Sequence, residues 1–485
     1  MPGYGFGYGY GAVGHARRTP LGAGQGGTPT PTPSPGASLP LTASIVGHFD
    51  SAAIPSQADN TALAAWPDSS TNEAHATQSD SAKQPKYRTG GTGGQPYVEW
   101  AASSATYLSV TSAALRAVLD SKTYTMLAVV EKLSGADNAS VFGAGYGSNY
   151  PWLWASATKI GWSGSDNNGC VVPHGQGTGY VSFGIVSSAS YPEVAGVSGL
   201  TRNVYRGAIY NSNNAPVNAT NGENMNMGAS AGGGAFPFKG RIYRIVIWDR
   251  ALTPAELLQA EVYFNTVYGQ THPAVTHGRF LHLDGDSRTV GTGISGADAT
   301  QRLPYKVANG LGFPIGTYNL YAVGGATAAE LAAKGSEVDG AANALAALNP
   351  AIAQRLIYEE FFNARSRPIG DPATDGSLAY QTAQYVADRR AGMPAGLKIV
   401  GQSPIDHSDA NTPSASGWAS YMQSHWAALG FDGLADVWAS SLGGDAACPN
   451  SAPFAPWADG VHLNADGQTT QAGVIIDACD ALAGW

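Results

Sequence analysis

Charged residues are scarce in this chain: Asp, Glu, Lys and Arg make up 13% of its 485 residues. A helical bundle with a salt-bridged surface needs more, and 63 glycines supply the turns that many short strands require, so the composition favours β-structure. Positive charge is scarcer still. The net charge is −9 and no basic stripe runs along any segment, which excludes the phosphate neutralisation on which nucleic-acid binding depends. Three cysteines, Cys170, Cys448 and Cys479, are too few for a disulfide-dense scaffold and too scattered for metal-ligand spacing. Cys448 and Cys479 are left as a pair that the fold could join; the plainer expectation is buried free thiols. No run of about 18 apolar residues occurs, so no membrane-spanning helix and no membrane insertion are expected. Met1 to Gly14 lacks the positive start and apolar core of a secretory signal. Work outside the cell would then need another route, such as assembly into a particle or lysis of the producing cell.

What is present includes enough apolar residue, 43%, to build real cores, and a length suggesting about three units. Residues 1–18 alternate Gly with Tyr and Phe. Residues 19–39 form a linker in which Thr28-Pro29-Thr30-Pro31-Thr32-Pro33-Ser34-Pro35 favours extended polyproline II and acts as a tether. Residues 40–269 are β-rich: Tyr124–Val130 and Arg241–Trp248 have strand composition and are separated by Gly/Asn/Ser loops. The second run is polar only at Arg241 and Arg244, which predicts a strand buried on both faces towards its end. Thr253 then caps a helix, with Pro254 at its first position and Glu256 closing a capping box. Many short strands with one late helix predict a β-sandwich.

Ala65-Trp66-Pro67-Asp68-Ser69-Ser70, Pro96–Trp100 with Tyr107-Leu108, Phe238–Ile242, and Trp248–Thr253 with Glu256 follow one another in an order that resembles a LamG/concanavalin A-like jelly roll. The resemblance spans nearly all of 40–269. It implies a module that binds glycan or positions a neighbour, and no sugar-binding residue stands out.

Residues 270–485 change pattern to short strands alternating with helices. Arg279–Leu283, Thr317–Val323, Arg355–Glu359, Leu397–Val400 and Ala435–Trp438 are predicted strands. Ala328–Leu348, Leu378–Ala391, Ser416–Leu429 and Ala465–Leu482 are predicted helices. This alternation builds a parallel sheet covered on both faces, with its chemistry at the carboxyl ends of the strands. Ser287 follows the first strand in Gly285-Asp286-Ser287. A serine needs an adjacent base to become a nucleophile, and Asp459-Gly460-Val461-His462 supplies one, with Asp459 placed to orient His462. Each motif alone has a plain reading, the first as a turn and the second as a capped surface loop. Gly325, after the second strand, is a tight turn or an oxyanion donor. Asn363, after the third, is a cap or an amide donor.

These blocks resemble the SGNH/GDSL hydrolase family over essentially all of 270–485. The resemblance implies a flavodoxin-like α/β/α fold, a catalytic Ser287, Asp459 and His462, and an oxyanion hole of Ser287, Gly325 and Asn363. The Asp459–Asn464 block is its most specific match. The third block departs from pattern, because Phe361-Phe362-Asn363-Ala364 lacks the glycine and second acid of the family. The implied reaction is carboxylic ester hydrolysis, commonly of acetyl groups on sugars, with no metal or organic cofactor. Gly228–Gly232 and Gly9–Gly14 fit elbow and dinucleotide spacings without the flanking elements those motifs need. His282 and Asp284 lack a third metal ligand, so core packing is expected of His282.

Taken together, tip, tether, lectin-like module and esterase look like a phage tail fibre or other receptor-binding virion protein. Its partners would be an acetylated polysaccharide and, through residues 1–18, tail proteins; such fibres are often homotrimers, though no heptads support that here. The alternatives are an exported bacterial carbohydrate esterase, an inactive glycan-binding adhesin and a purely structural particle component.

Overall fold

The computed structural model describes residues 42–100, 106–121, 123–133, 139–144, 152–155, 159–162, 170–173, 186–187, 193–198, 201–206, 224–230, 236–269, 278–290, 301–311, 318–322, 326–333, 335–360, 363, 367–374, 376–405, 415–440, 442 and 462–483. The Gly/Tyr segment and the Thr/Pro linker lie outside the described residues, as do Gly325, Cys448 and Asp459. Residues Leu39–Trp485 form one compact unit.

Its first part is two antiparallel sheets, of nine and eight strands among the described residues. Gly240–Trp248 lies inside the larger sheet, paired with Tyr124–Lys132 on one side and with Ile45–Asp50 and Tyr97–Trp100 on the other. Both long strands are rich in β-branched and aromatic residues, which fit a pleated surface packed on both faces. Side chains of one face, Ile242, Ile245 and Ile247, meet Leu108, Phe142 and Leu153 of the smaller sheet in a shared core. Trp66 and Trp100 are fully buried there, with ring centroids 6.0 Å apart. The opposite face, through Tyr243, Val246 and Trp248, takes the helix Pro254–Val267. That helix starts as the sequence predicts: the Thr253 and Glu256 side chains cap one another's backbone N–H groups. A short helix, Ala113–Asp120, capped by Ser112, also belongs to this part and was not expected from its β-rich text.

The second part is a five-stranded parallel sheet, β1 (Arg279–Gly285), β2 (Tyr318–Leu320), β3 (Ala353–Glu359), β4 (Lys398–Gln402) and β5 (Gly433–Ala435). Its spatial order is β2-β1-β3-β4-β5, the flavodoxin-like order. Alternate residues of β3 serve opposite faces. Leu356 and Tyr358 pack with helices Gly335–Leu348 and Leu378–Gly392, whereas Ile357 packs with Leu303–Gly310 and Ala465–Asp480. Differences from the predicted elements are local. The predicted helix 328–348 is two, Ala328–Ala333 and Gly335–Leu348. The last strand stops at Ala435, and Asp436 caps a 3-10 turn over Val437–Ala439. Leu303–Gly310 is a helix that was not expected. Leu258 of the helix Pro254–Val267 packs with Phe280, Leu345 and Ile352, which joins the two parts through apolar side chains.

Candidate active site

In a parallel sheet of this order the strand sequence reverses between β1 and β3, and ligands bind in the crevice outside the carboxyl ends there. Ser287 and Asn363 follow those two strands. Parallel pairing aligns Arg279 with Ala353 at one end and Gly285 with Glu359 at the other, so both chains leave the sheet level with each other. Ser287 begins a single helical turn, Ser287–Val290. Buried Asp286 accepts the Arg288 backbone N–H at 2.8 Å, the bond an N-cap makes. Gly285 is required where it stands: its φ is 154°, and a Cβ there would collide with the Glu359 carbonyl and the Thr289 hydroxyl.

Asn363 ties three of the predicted blocks together. Its Nδ2 donates to Asp286 Oδ2 at 3.2 Å and to the Ala326 carbonyl at 3.0 Å. Asp286 precedes the serine, and Ala326 follows Gly325. Thr327 and Glu330 then reciprocally cap the helix Ala328–Ala333, which fixes the far side of that loop. Both amide hydrogens of Asn363 are engaged.

His462 is half-buried, just before the final helix. Asn464 caps that helix, accepting from the Asp466 and Gly467 N–H groups at 3.0 Å each. Its neighbour Leu463 packs with Ile405, Val437 and Leu442. The Ile405 carbonyl accepts from Arg288 Nη1 at 3.2 Å, so the segment carrying His462 is anchored beside the turn that carries Ser287. His282 is fully buried and shares hydrogen bonds with Gln354 at 2.8 Å and Tyr321 at 3.5 Å, as expected of a core histidine. Cys479 is a buried free thiol, pushed up to about 12 by burial.

Beneath the switch point Asp284 and Asp286 are joined by two buried acids that the sequence reading did not single out, Glu359 and Glu360. The signal for these two was available in Tyr358-Glu359-Glu360, where paired acids end a strand. Tyr385 donates to Asp284 at 2.6 Å and stacks on Tyr358, with centroids 4.0 Å apart. Burial, and next the Asp284 charge, raise the Tyr385 phenol well above its usual range. Glu359 accepts from Thr289 Oγ1 at 3.3 Å and is the register partner of Gly285, which sets it beside Asp286. Burial pushes its carboxyl well above the usual carboxylate range, and the neighbouring Asp286 adds to this. Among the described residues, no group of three or more His, Cys, Asp or Glu side chains is placed to hold a metal ion.

A second surface feature is an open cavity of about 460 Å³ in the sandwich, lined by Ala64, Thr77, Gln78, Ser79, Tyr107 and Ser109.

No protein-family model matches the sequence, and no curated protein matches it. Solved structures with some likeness include a member of the lipolytic protein G-D-S-L family from Veillonella parvula. Its identity is 12%, the match covers 42% of this chain and 100% of that one, and the TM-score is 0.31. TesA matches at 18% identity over 41% of this chain and 97% of its own, with a TM-score of 0.29. A GH54 α-L-arabinofuranosidase matches at 15% identity over 43% of this chain and 51% of its own, with a TM-score of 0.32.

Proposed function

We propose that residues 270–485 are a serine esterase of the SGNH/GDSL type. The observation that carries this reading is the junction at the β1/β3 switch point, where Asn363 is hydrogen-bonded to the residue before Ser287. In this mechanism Ser287 Oγ attacks the ester carbonyl while His462 takes its proton, with Asp459 holding the imidazole. The carbonyl oxygen becomes an oxyanion held by the Ser287 and Gly325 N–H groups and the Asn363 amide. His462 returns the proton to the leaving alcohol, giving an acyl-enzyme, and water activated by the same base releases the acid. Asn363 gives up its bond to Ala326 to receive the oxyanion and keeps Asp286 as its support. No cofactor enters.

The substrate we propose is an O-acetylated surface polysaccharide. The sandwich, read as concanavalin A-like, would hold the glycan, and its cavity offers hydroxyl, amide and tyrosine groups suited to sugar. A phage tail fibre or receptor-binding virion protein is the proposed setting, with residues 1–18 as tail anchor; a homotrimer would suit it. An exported carbohydrate esterase of bacterial origin is the other setting.

Hydrolysis of p-nitrophenyl acetate by the chain and by its Ser287→Ala variant tests the reading. Turnover that vanishes in the variant is expected; equal turnover in both would remove the assignment. A second reading, an inactive glycan-binding adhesin, is favoured by the Phe361–Ala364 departure and by the full engagement of the Asn363 amide. It predicts glycan binding with no turnover.

A further inference from the structure

Asp286 and Glu359 are 0% and 1% exposed and belong to neighbouring strand ends held in register by the Gly285–Glu359 pairing. Asp286 acts as acceptor on both oxygens, from the Arg288 N–H and from Asn363. Glu359 Oε2 receives the Thr289 hydroxyl, while its Oε1 is buried and finds no donor. Two carboxyl groups side by side in a dry place, one with an oxygen that finds no donor, favour one proton between them. Glu359 is the natural holder, because each Asp286 oxygen already accepts a donor and has a further lone pair to offer, whereas Glu359 Oε1 has no donor.

We propose that Glu359 is a neutral positioning residue, whose carboxyl proton is donated to Asp286 so that Asp286 holds Asn363 at the oxyanion site. This rests on the esterase reading for its catalytic consequence. Asp286 bonds both the serine turn, at the Arg288 N–H, and the amide donor Asn363. Were Glu359 ionised, two adjacent buried carboxylates would repel, and Asp286 would move away from one or both of its partners. The charged groups acting on Glu359 are Asp286 and Glu360, which favour the protonated form, and Arg288, which opposes it.

The first test needs no activity. A folded-state acid that keeps its proton binds more protons than the unfolded chain above the ordinary glutamate pKa of about 4.3. The parent's stability relative to Glu359→Gln must therefore fall as pH rises from about 5. The folding equilibrium changes up to tenfold per pH unit until the folded-state pKa is reached. Urea unfolding of both proteins from pH 5 to 8 reads this. A gap between them that does not change with pH would overturn the neutral glutamate, whether or not the chain hydrolyses esters.

The second test separates positioning from folding. Glu359→Leu keeps the volume and removes the donor; kcat is expected to fall about a hundredfold, the cost of a misplaced group, with KM little moved. Glu359→Gln restores a donor and most of that kcat. In an Asn363→Ala background, Glu359→Leu should cost almost nothing more, because the group it positions is gone. Equal losses in both backgrounds would overturn the positioning role. A parent without any turnover would overturn the esterase reading instead, and the unfolding gap would still decide on the proton.

Discussion

The closing strand of the sandwich and the carboxyl edge of the parallel sheet treat buried acids in opposite ways. Along Gly240–Trp248 each acid meets a guanidinium: Arg241 reaches Glu131 at 2.9 Å, and Arg244 is paired with buried Asp50. Just beyond it, Arg250 grips Glu256 with two bonds of 2.7 Å. At the end of β1 and β3, Asp284, Asp286, Glu359 and Glu360 gather in the interior, with Arg288 the cation acting on Glu359. Separate acid–guanidinium pairs hold a fold together, whereas acids gathered in one dry place act on one another's protonation, an arrangement that functional sites use. In the proposed reading, the difference separates a supporting part from a working one.

The comparison can be broken at its matched side first. Asp50→Ala leaves Arg244 buried without its carboxylate and should cost about 3–5 kcal/mol in chemical unfolding, with ester turnover per folded molecule unaffected. On the working side, Asn363→Ala should reverse that pattern. It is expected to lower kcat by about 10²–10³, the scale of one lost oxyanion donor, while moving the unfolding midpoint little. Gly285→Ala touches both, since its Cβ meets the Glu359 carbonyl; a loss of about 1–3 kcal/mol together with reduced kcat is expected. Thr253→Ala removes a cap far from the site and should cost about 1 kcal/mol with no kinetic effect.

Opposite pH responses give the smallest and sharpest contrast. The side-chain bonds from Arg250 hold Glu256 down at about 2. Its folded pKa lies below the unfolded value, so its contribution is present above about pH 4.5 and lost as pH falls towards 2. The pair is partly exposed, so comparison with Glu256→Gln should show less than about 1 kcal/mol vanishing over that range. Glu359 is shifted the other way and destabilises as pH rises. A Glu256 gap that persists at pH 2 would remove the contrast.

Much of the frame was legible because local pattern and tertiary position agree. The apolar run Ile245–Trp248 is buried on both faces, and the Thr253–Glu256 box is made as read. Ser287 and Asn363 were placed by strands whose ends the sequence marks clearly. Ala113–Asp120 was missed because two buried leucines, Leu115 and Leu119, are too few to stand out within strand-rich text. Leu303–Gly310 was missed for a similar reason: Pro304 and Gly310 read as loop residues, although proline suits a helix start. The acid pair was illegible for a different reason. Asp286 and Glu359 lie 73 positions apart, and only the β1–β3 register brings them together.

The most direct test of the central claim is labelling with a fluorophosphonate, followed by peptide mass spectrometry on the parent and on His462→Ala. One adduct, on Ser287, formed rapidly in the parent and slowly or not at all without His462, is the expected result. No adduct on a folded parent, or an adduct on another serine, would contradict the account.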